Sequence, residues 1–222
     1  MLNDKGQKIN FQKELERKLA EIKKLTDENK GDRPSLLLHA CCGPCSSYVL
    51  EYLAKYFDIT VFFYNPNIYP KAEYERRFEE LKKLYTSFPP ALEGKIKVVE
   101  KTYVPEEFYK AAGTREQPEL AEEPEKGERC RRCYELRLKA CYEYAAEQNF
   151  DYFCTTLSIS PFKDADKLNN IGMELTKPQG PQWLISDFKK NGGFKRSLEI
   201  SEEYGMYRQD YCGCIYSQRK ES

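Results

Sequence analysis

An apolar run that stops at a group of cysteines constrains this chain more than any other feature. Residues 36–40 read Leu-Leu-Leu-His-Ala, and residues 41–45 read Cys-Cys-Gly-Pro-Cys. A short apolar run bounded by Gly and Pro is typical of a buried strand, and proline favours the first turn of a helix. In open α/β sheets, ligands bind beyond the carboxyl ends of the strands. The sequence therefore predicts a reactive sulfur site where the first strand ends.

Predicted strands alternate with predicted helices along most of the chain. Strands are expected at residues 35–40, 58–64, 95–103, 150–157 and 183–186. Helices are expected at residues 44–57, 71–85, 106–112, 130–148, 164–175 and 194–204. Because no two strands form an adjacent hairpin, the alternation predicts an α/β fold, with a Rossmann-like open, mostly parallel sheet and helices on both faces. Right-handed crossovers then bring the strand ends near residues 40, 64 and 157 to one edge, beside the cysteines.

The domain organisation is predicted to be one catalytic domain with an N-terminal extension. Residues 1–33 are highly charged and carry apolar residues at helical spacing, which predicts an amphipathic helix packed on the domain. These apolar residues are Phe11, Leu15, Leu19, Ile22 and Leu25. RNA contact through the lysines of this helix is the alternative. Residues 34–222 form the predicted α/β domain, and the acidic, proline-punctuated stretch 113–129 is predicted to be a long loop.

Composition narrows the classes of function. The 36 Lys and Arg residues balance the 36 Asp and Glu residues, so only a local basic patch could bind nucleic acid. The polar N-terminus and the lack of a long apolar run predict a cytoplasmic protein with no membrane partner. In that reducing compartment, nine cysteines indicate metal or redox chemistry rather than disulfides. No phosphate-binding glycine motif occurs, so electrons are expected from a donor protein or a small reductant.

Seven of the nine cysteines fall into three groups. They are Cys41, Cys42 and Cys45, then Cys130 and Cys133, and then Cys212 and Cys214. Because a zinc site uses at most four ligands, seven sulfurs leave room for a four-thiolate iron–sulfur cluster and a further metal or dithiol pair. Unpaired N–H groups at a helix start lower the pKa of a nearby thiol and favour the metal-binding thiolate. The remaining Cys141 and Cys154 are expected to be buried and inert.

Two other classes of protein remain open from these residues. Cys42 and Cys45 flank Gly-Pro at a strand-to-helix turn, which is the arrangement of a thiol–disulfide oxidoreductase. A zinc-stabilised tRNA-binding module without catalysis is the other alternative. The only histidine, His39, is either a proton donor beside the sulfur site or a structural group at the strand end.

A set of motifs that run in order over residues 35–216 carries a family resemblance. The motifs are LHACCGP at 38–44, FYNPNI at 63–68, CRRCYELRL at 130–138, TTLSISPFK at 155–163, DFKK at 187–190 and YRQDYCGC at 207–214. With them the chain resembles the cobalamin-independent epoxyqueuosine reductases of the QueH type. The resemblance implies reduction of the epoxide of epoxyqueuosine, at the wobble position of a tRNA anticodon, to the alkene of queuosine. It further implies a [4Fe-4S] cluster with a second iron ion close by.

The resemblance also implies roles for individual residues. Cys41, Cys42, Cys130 and Cys133 match the cluster ligands. Cys212 and Cys214 match a redox-active pair or ligands of the second iron. Some members have Asp at the position of Cys45 as a ligand of that iron, so either sulfur replaces oxygen here or the iron is held differently.

Proton donation and substrate binding complete the expected site. A proton is expected from His39, Tyr211 or a thiol of Cys212 or Cys214. The residues expected to bind the tRNA substrate are Asn65, Tyr69, Arg131, Lys189 and Lys190. The two lysines are candidates for phosphate contact and the tyrosine for stacking on an anticodon base, although exposed lysines often face only solvent.

Overall fold

Five parallel strands form the centre of the protein, whose computed structural model describes residues 8–29 and 31–218. The strands are β1 (Ser35–His39), β2 (Asp58–Phe63), β3 (Lys97–Glu100), β4 (Tyr152–Thr155) and β5 (Gln182–Trp183). Their order across the sheet is β3-β2-β1-β4-β5, and Leu36 of β1 lies opposite Ile59 on one side and Tyr152 on the other. The order reverses at β1, which makes the crevice between β1 and β4 the topological switch point. This arrangement confirms the predicted Rossmann-like α/β fold.

Helices cover both faces of the sheet. They are α1 (Phe11–Glu28), α2 (Gly43–Leu53), α3 (Lys71–Ser87), α4 (Pro89–Glu93), α5 (Pro105–Ala112), α6 (Glu119–Glu122), α7 (Glu128–Glu147), α8 (Ala165–Leu175) and α9 (Gly193–Glu203). Leu36 and Leu38 of β1 join the core under α1, α2 and α3, while Leu37 joins the core under α7 and α8. Successive side chains of a strand point to opposite faces, so an apolar strand such as β1 needs cover on both. No helix among the described residues has the length and apolar character needed to cross a membrane.

Local signals explain where several helices begin and end. The side chain of Asn10 accepts a hydrogen bond from the amide of Lys13 at the start of α1, and Asp164 does the same at the start of α8. Proline occupies the first turn of α2, α4 and α5, where its missing N–H costs nothing. Gly113 ends α5 in the left-handed conformation.

The structure corrects several predicted boundaries. The predicted helix 44–57 ends at Leu53, and the predicted strand 95–103 is only the four-residue β3. The predicted strand 183–186 lies at Gln182–Trp183. After β4, the chain turns into a 3-10 helix, Thr156–Ile159, because the Thr155 hydroxyl accepts a hydrogen bond from the amide of Leu157.

The N-terminal helix and the acidic stretch also differ from expectation in detail. In α1, Leu15 and Leu19 are buried in the main core, but Leu25 near the end of the helix is 55% exposed. The stretch 113–129 is partly ordered, since it contains α6 and ends in the first residues of α7. Its Leu120 is buried, so this stretch packs on the protein rather than extending as a bare loop.

Candidate metal–thiolate site

Three cysteine sulfurs meet at the carboxyl end of β1. Cys41 follows the strand, and Cys42 is the N-cap of α2, where its sulfur accepts a hydrogen bond from the amide of Cys45 at 3.4 Å. The sulfurs of Cys41 and Cys42 are 3.8 Å apart, and with that of Cys45 all three lie within 4.8 Å of one another. Within the described part of the chain, no other His, Cys, Asp or Glu residues form a group this tight.

The spacing of these sulfurs suits a single metal ion. A tetrahedral thiolate site with metal–sulfur bonds of about 2.3 Å places neighbouring sulfurs roughly 3.8 Å apart. The tight group includes Cys45 and leaves out Cys130 and Cys133, so it differs from the quartet expected to hold the cluster. A four-iron cluster binds each cysteine at a different iron, which spreads its ligands more widely than those of one ion. The division of the cysteines between a cluster and a second iron stays a prediction.

The other two cysteine groups lie beside the first. Cys130 and Cys133 are buried in the first turns of α7, and Cys130 belongs to the same buried cluster as Cys41 and Cys42. Cys133 packs in a smaller cluster with Cys214, and Cys212 borders it. All nine cysteines are free thiols, and the remaining two, Cys141 and Cys154, are fully buried in the core.

Two of the site thiols are biased toward the thiolate. Hydrogen bonds from Cys41 and Cys45 hold the pKa of Cys42 well below its usual range despite burial, and Arg77 adds to the effect. Burial disfavours the charge of Cys212, but the neighbouring ammonium of Lys163 lowers the pKa of this thiol overall. Cys42 and Cys212 therefore favour the thiolate, which is the form that binds metal, whereas burial raises the pKa of Cys133 to about 11.

Arg77 fastens the C-terminal segment, residues 207–214, over the sulfurs. Its guanidinium is 1% exposed, pairs with Glu73 at 2.7 Å, and donates to the carbonyl oxygens of Cys212 at 3.0 Å and Tyr211 at 3.2 Å. Gly213 adopts φ +106°, and a Cβ there would lie 2.8 Å from the guanidinium, so only glycine fits between the two cysteines. On the same segment, Gln209 donates a hydrogen bond to the sulfur of Cys42 at 3.0 Å.

A cavity of about 250 Å³ opens beside the sulfurs. Cys41, Cys45 and Cys212 line it together with Lys163 and the exposed ring of Phe162. The ammonium of Lys163 is 7% exposed and lies 3.4 Å from a carboxylate oxygen of Glu125, which also lines the cavity.

A second, shallower cavity of about 590 Å³ adjoins the first. Lys163 lines both cavities, and the second also contains Lys126, Lys189 and Lys190. Lysine side chains thus line both cavities. The carboxylates of Asp164, Asp166 and Asp187 share the second cavity, so its charge is mixed.

His39 is held in a purely internal hydrogen-bond network. It is fully buried, its Nε2 donates to the carbonyl of Tyr64 at 3.1 Å, and its Nδ1 accepts from the Thr155 hydroxyl at 2.9 Å. Burial, with a contribution from the charge of Arg137, lowers the pKa of His39 to about 4. Between its two alternative roles, the geometry favours the structural one, in which a neutral ring ties β1 to β4 and to the end of β2.

Three further residues of the expected site fix the loop after β2: Asn65 binds the residue after β1, and Tyr69 and Tyr211 join the loop to the C-terminal segment. The side chain of Asn65 is buried and donates to the carbonyl of Ala40 at 2.9 Å. The amide of Tyr69 donates to the carbonyl of Gly213 at 2.8 Å, and the carbonyl of Tyr69 accepts from the Tyr211 hydroxyl at 2.6 Å. The ring of Tyr69 is 43% exposed, as stacking on a base requires, whereas Asn65 is engaged within the protein.

The three basic residues predicted to contact tRNA differ in whether they already form ion pairs within the protein. Arg131 forms ion pairs with Glu128 at 2.8 Å and Glu135 at 2.9 Å. Lys189 pairs with the buried carboxylate of Asp187, while Lys190 is exposed. Of the three, Lys190 is best placed to meet a phosphate.

Several residues of the site were not singled out from the sequence. They are Arg77, Glu125, Phe162, Lys163 and Gln209. Phe162 and Lys163 end the motif at residues 155–163, and Gln209 lies within the motif at 207–214, so those motifs carried a usable signal. Arg77 sits in an ordinary amphipathic helix, where nothing in the sequence distinguishes it from a surface arginine.

Comparisons with known proteins agree with the motifs. The family described as "Epoxyqueuosine reductase QueH" matches residues 36–220. The epoxyqueuosine reductase QueH of Staphylococcus epidermidis is 41% identical over 98% of this chain and 88% of its own length. That of Streptococcus pyogenes is 42% identical over 97% and 81%, and that of Thermotoga maritima 32% over 84% and 93%.

A solved structure shares the fold. It is the U34-tRNA thiolase NcsA from Methanococcus maripaludis with its [4Fe-4S] cluster, with a TM-score of 0.50 and 14% identity over 98% of this chain and 76% of that chain. At that identity the likeness concerns the fold alone.

Proposed function

Because this chain belongs to the epoxyqueuosine reductase QueH family, we propose that it reduces the epoxide of epoxyqueuosine in tRNA to the alkene of queuosine. In this reaction both C–O bonds of the epoxide break and a C=C bond forms. Two electrons and two protons enter, and the oxygen leaves as water. The electrons come from a donor protein or a small reductant.

The observation that carries the proposal is that the three cysteine groups lie close together at the switch point of the sheet. Cys41, Cys45 and Cys212 line one cavity, Cys130 packs in the same cluster as Cys41 and Cys42, and Cys133 packs with Cys214. The soft thiolate donors and the buried cations around them fit an anionic metal–thiolate group. Cys41, Cys42, Cys130 and Cys133 would hold a [4Fe-4S] cluster, as the resemblance implies. Cys45, with Cys212 and Cys214, would hold a second iron. When bound, this group supplies single electrons and a Lewis acid for the epoxide oxygen.

The cavity beside the sulfurs is proposed to receive the modified wobble base. RNA-binding proteins commonly read single-stranded loops by splaying a base out and stacking it on an aromatic ring. Phe162, which is 61% exposed, and Tyr69 offer such rings at the cavity mouth and on the neighbouring loop. Lys190 and its neighbours in the second cavity are placed to contact the flanking phosphates.

Proton transfer is proposed to use groups that line the cavity. Lys163 can donate a hydrogen bond to the epoxide oxygen, and its partner Glu125 lies 3.4 Å away. The raised pKa of Lys163 keeps it cationic: burial opposes its charge, but the neighbouring thiolate of Cys212 favours it more strongly with help from other anions. Tyr211 also lines this space and stays a candidate for the second proton, whereas the lowered pKa of Cys212 biases it toward the thiolate there.

The proposal is tested with cysteine variants of the full chain, purified without oxygen. The double variant Cys130→Ala/Cys133→Ala is compared with Cys141→Ala, which removes a cysteine buried in the core outside the site. Iron and sulfide content are measured, and the nucleosides of epoxyqueuosine-containing tRNA are followed by mass spectrometry. The proposal expects the double variant to lose the cluster and the product while the control keeps both.

The same preparation separates the rival classes. Full conversion by a double variant without a cluster would contradict the proposal. A colourless, metal-free wild type with thiol-exchange activity would favour the oxidoreductase that uses Cys42 and Cys45. A protein that binds zinc and tRNA without converting the epoxide would favour the binding module.

A further inference from the structure

Arg137 is a buried cation whose hydrogen-bond partners are both neutral. Its side chain is 2% exposed and lies one helical turn after Cys133 in α7. Its Nε donates to the carbonyl of Cys133 at 3.3 Å, and its Nη1 donates to Oδ1 of Asn65 at 3.4 Å. The amide nitrogen of Asn65 is already bound to the carbonyl of Ala40, which leaves its oxygen for the guanidinium.

Two other buried cations that border the sulfurs have carboxylates beside them. Arg77 pairs with Glu73 at 2.7 Å, and Lys163 lies 3.4 Å from Glu125. The guanidinium of Arg129, like that of Arg137, donates to neutral groups, the carbonyls of Leu120 at 2.5 Å and Ala121 at 2.9 Å, but Arg129 does not line the sulfur cavity. Over residues 8–29 and 31–218, no carboxylate lies within ion-pair distance of the guanidinium of Arg137.

A buried charge is strongly unfavourable unless an opposite charge lies close to it. Arg137 lines the sulfur cavity together with Cys41 and Cys212, and its Nε binds the backbone of Cys133. Burial opposes the charge of the guanidinium, and these three cysteines are groups beside it that carry the opposite charge once they bind metal as thiolates. The anion that belongs with Arg137 is therefore the sulfur site itself.

We propose that Arg137 is a positioning residue that acts as the fixed counter-charge of the metal–thiolate group and raises its reduction potential. This inference rests on the proposed function, because it requires a redox-active metal group on the cysteines. An added electron makes that group more negative, and a desolvated cation nearby stabilises the reduced form. The hydrogen bond to the carbonyl of Cys133 also fixes the turn of α7 that presents this ligand.

The inference is tested by redox titration of full-length variants reconstituted with iron and sulfide without oxygen. Arg137→Met and Arg137→Gln remove the charge, and Arg137→Lys retains it. Lys139→Met is the matched control, because it removes a cation from the same helix that is 63% exposed and screened by water. Iron and sulfide content, the midpoint potential and the Kd for tRNA are measured for each variant.

Arg137→Met and Arg137→Gln are expected to shift the midpoint potential to lower values, with Arg137→Lys closer to wild type and Lys139→Met equal to it. If the neutral variants fail to load metal, loading restored by Arg137→Lys supports the same counter-charge. A wild-type potential in a loaded neutral variant overturns the inference, as does failure of Arg137→Lys to load. A change in the Kd for tRNA without a change in midpoint potential or metal loading also overturns the inference.

The outcome is separable from that of the proposed function. A wild-type protein that binds no redox-active metal, or does not convert epoxyqueuosine, contradicts the proposed function before any variant is compared. A loaded and active wild type whose potential does not depend on Arg137 contradicts only the counter-charge.

Discussion

Replacing Arg77 by Met should release the C-terminal segment from the sulfur site. The guanidinium joins Glu73 on α3 to the backbone of Tyr211 and Cys212, which are more than 130 positions away in the chain. Without it, Glu73 keeps the hydroxyl of Tyr207 as a partner, at 3.1 Å and 3.2 Å. Two carbonyl oxygens of the segment also lose their donors.

The expected loss of stability follows from the burial of the ion pair between Arg77 and Glu73. The side chains of Arg77 and Glu73 are 1% and 10% exposed, so the removal of one partner leaves a nearly desolvated carboxylate. Breaking such a buried pair costs about 3–5 kcal/mol. The segment can undock and let water reach Glu73, so we expect local opening of this segment to be the main effect. The free energy of this opening should fall by about 3 kcal/mol.

Hydrogen exchange and urea unfolding measure this loss. The amide of Tyr69 donates to the carbonyl of Gly213, so its exchange reports on docking of the segment. A loss of about 3 kcal/mol should speed that exchange roughly 100-fold if opening limits it. The double variant Arg77→Met/Glu73→Leu is the control, and it should recover part of the stability because it removes the stranded carboxylate. A change below about 1 kcal/mol, with unchanged exchange at Tyr69, would refute the fastening role of Arg77.

Three further predictions concern tRNA and metal binding. Lys190→Ala should reduce the slope of log Kd for tRNA against log salt concentration by about 1, and Lys189→Ala should reduce it by less because Asp187 already pairs with Lys189. Equal slopes in the wild type and both variants would show that this surface does not contact tRNA. Phe162→Ala should weaken tRNA binding by about 1–3 kcal/mol in a binding titration without changing the free energy of unfolding, since the ring is 61% exposed. Cys45→Asp should retain the second iron in metal analysis while Cys45→Ala loses it, and full iron in the alanine variant would show that residue 45 is not a ligand.

The sheet and the place of the site could be predicted because their signals are local. The mostly apolar β1 and β2 signal strands covered on both faces, and the Cys-Cys-Gly-Pro-Cys turn marks the carboxyl end of β1. Parallel topology then brings the later loops to the same edge. The bounds of β3 and β5 were predicted inaccurately because both are short edge strands with weak local signals. The short helix α4 was not predicted because its two prolines also suit a turn.

The contacts within the site could not be predicted, because they join distant positions. Arg77 and Arg137 resemble the other arginines of their helices in the sequence, and only the fold turns them inward toward carbonyls and sulfurs. His39 shows the reverse case. A histidine beside cysteines suggests proton transfer, but its two nitrogens are engaged by Thr155 and by the backbone of Tyr64.

The most direct measurement of the central claim is a single-turnover reaction without oxygen. Iron-loaded wild-type protein is reduced chemically and mixed with tRNA that carries epoxyqueuosine, with at least two reduced protein molecules per tRNA so that two electrons are available for each epoxide. The wobble nucleoside is then examined by mass spectrometry. The account predicts loss of one oxygen atom from the nucleoside, with oxidation of the metal group seen by its absorbance in the same sample. An unchanged nucleoside after mixing with fully loaded and reduced protein would contradict it.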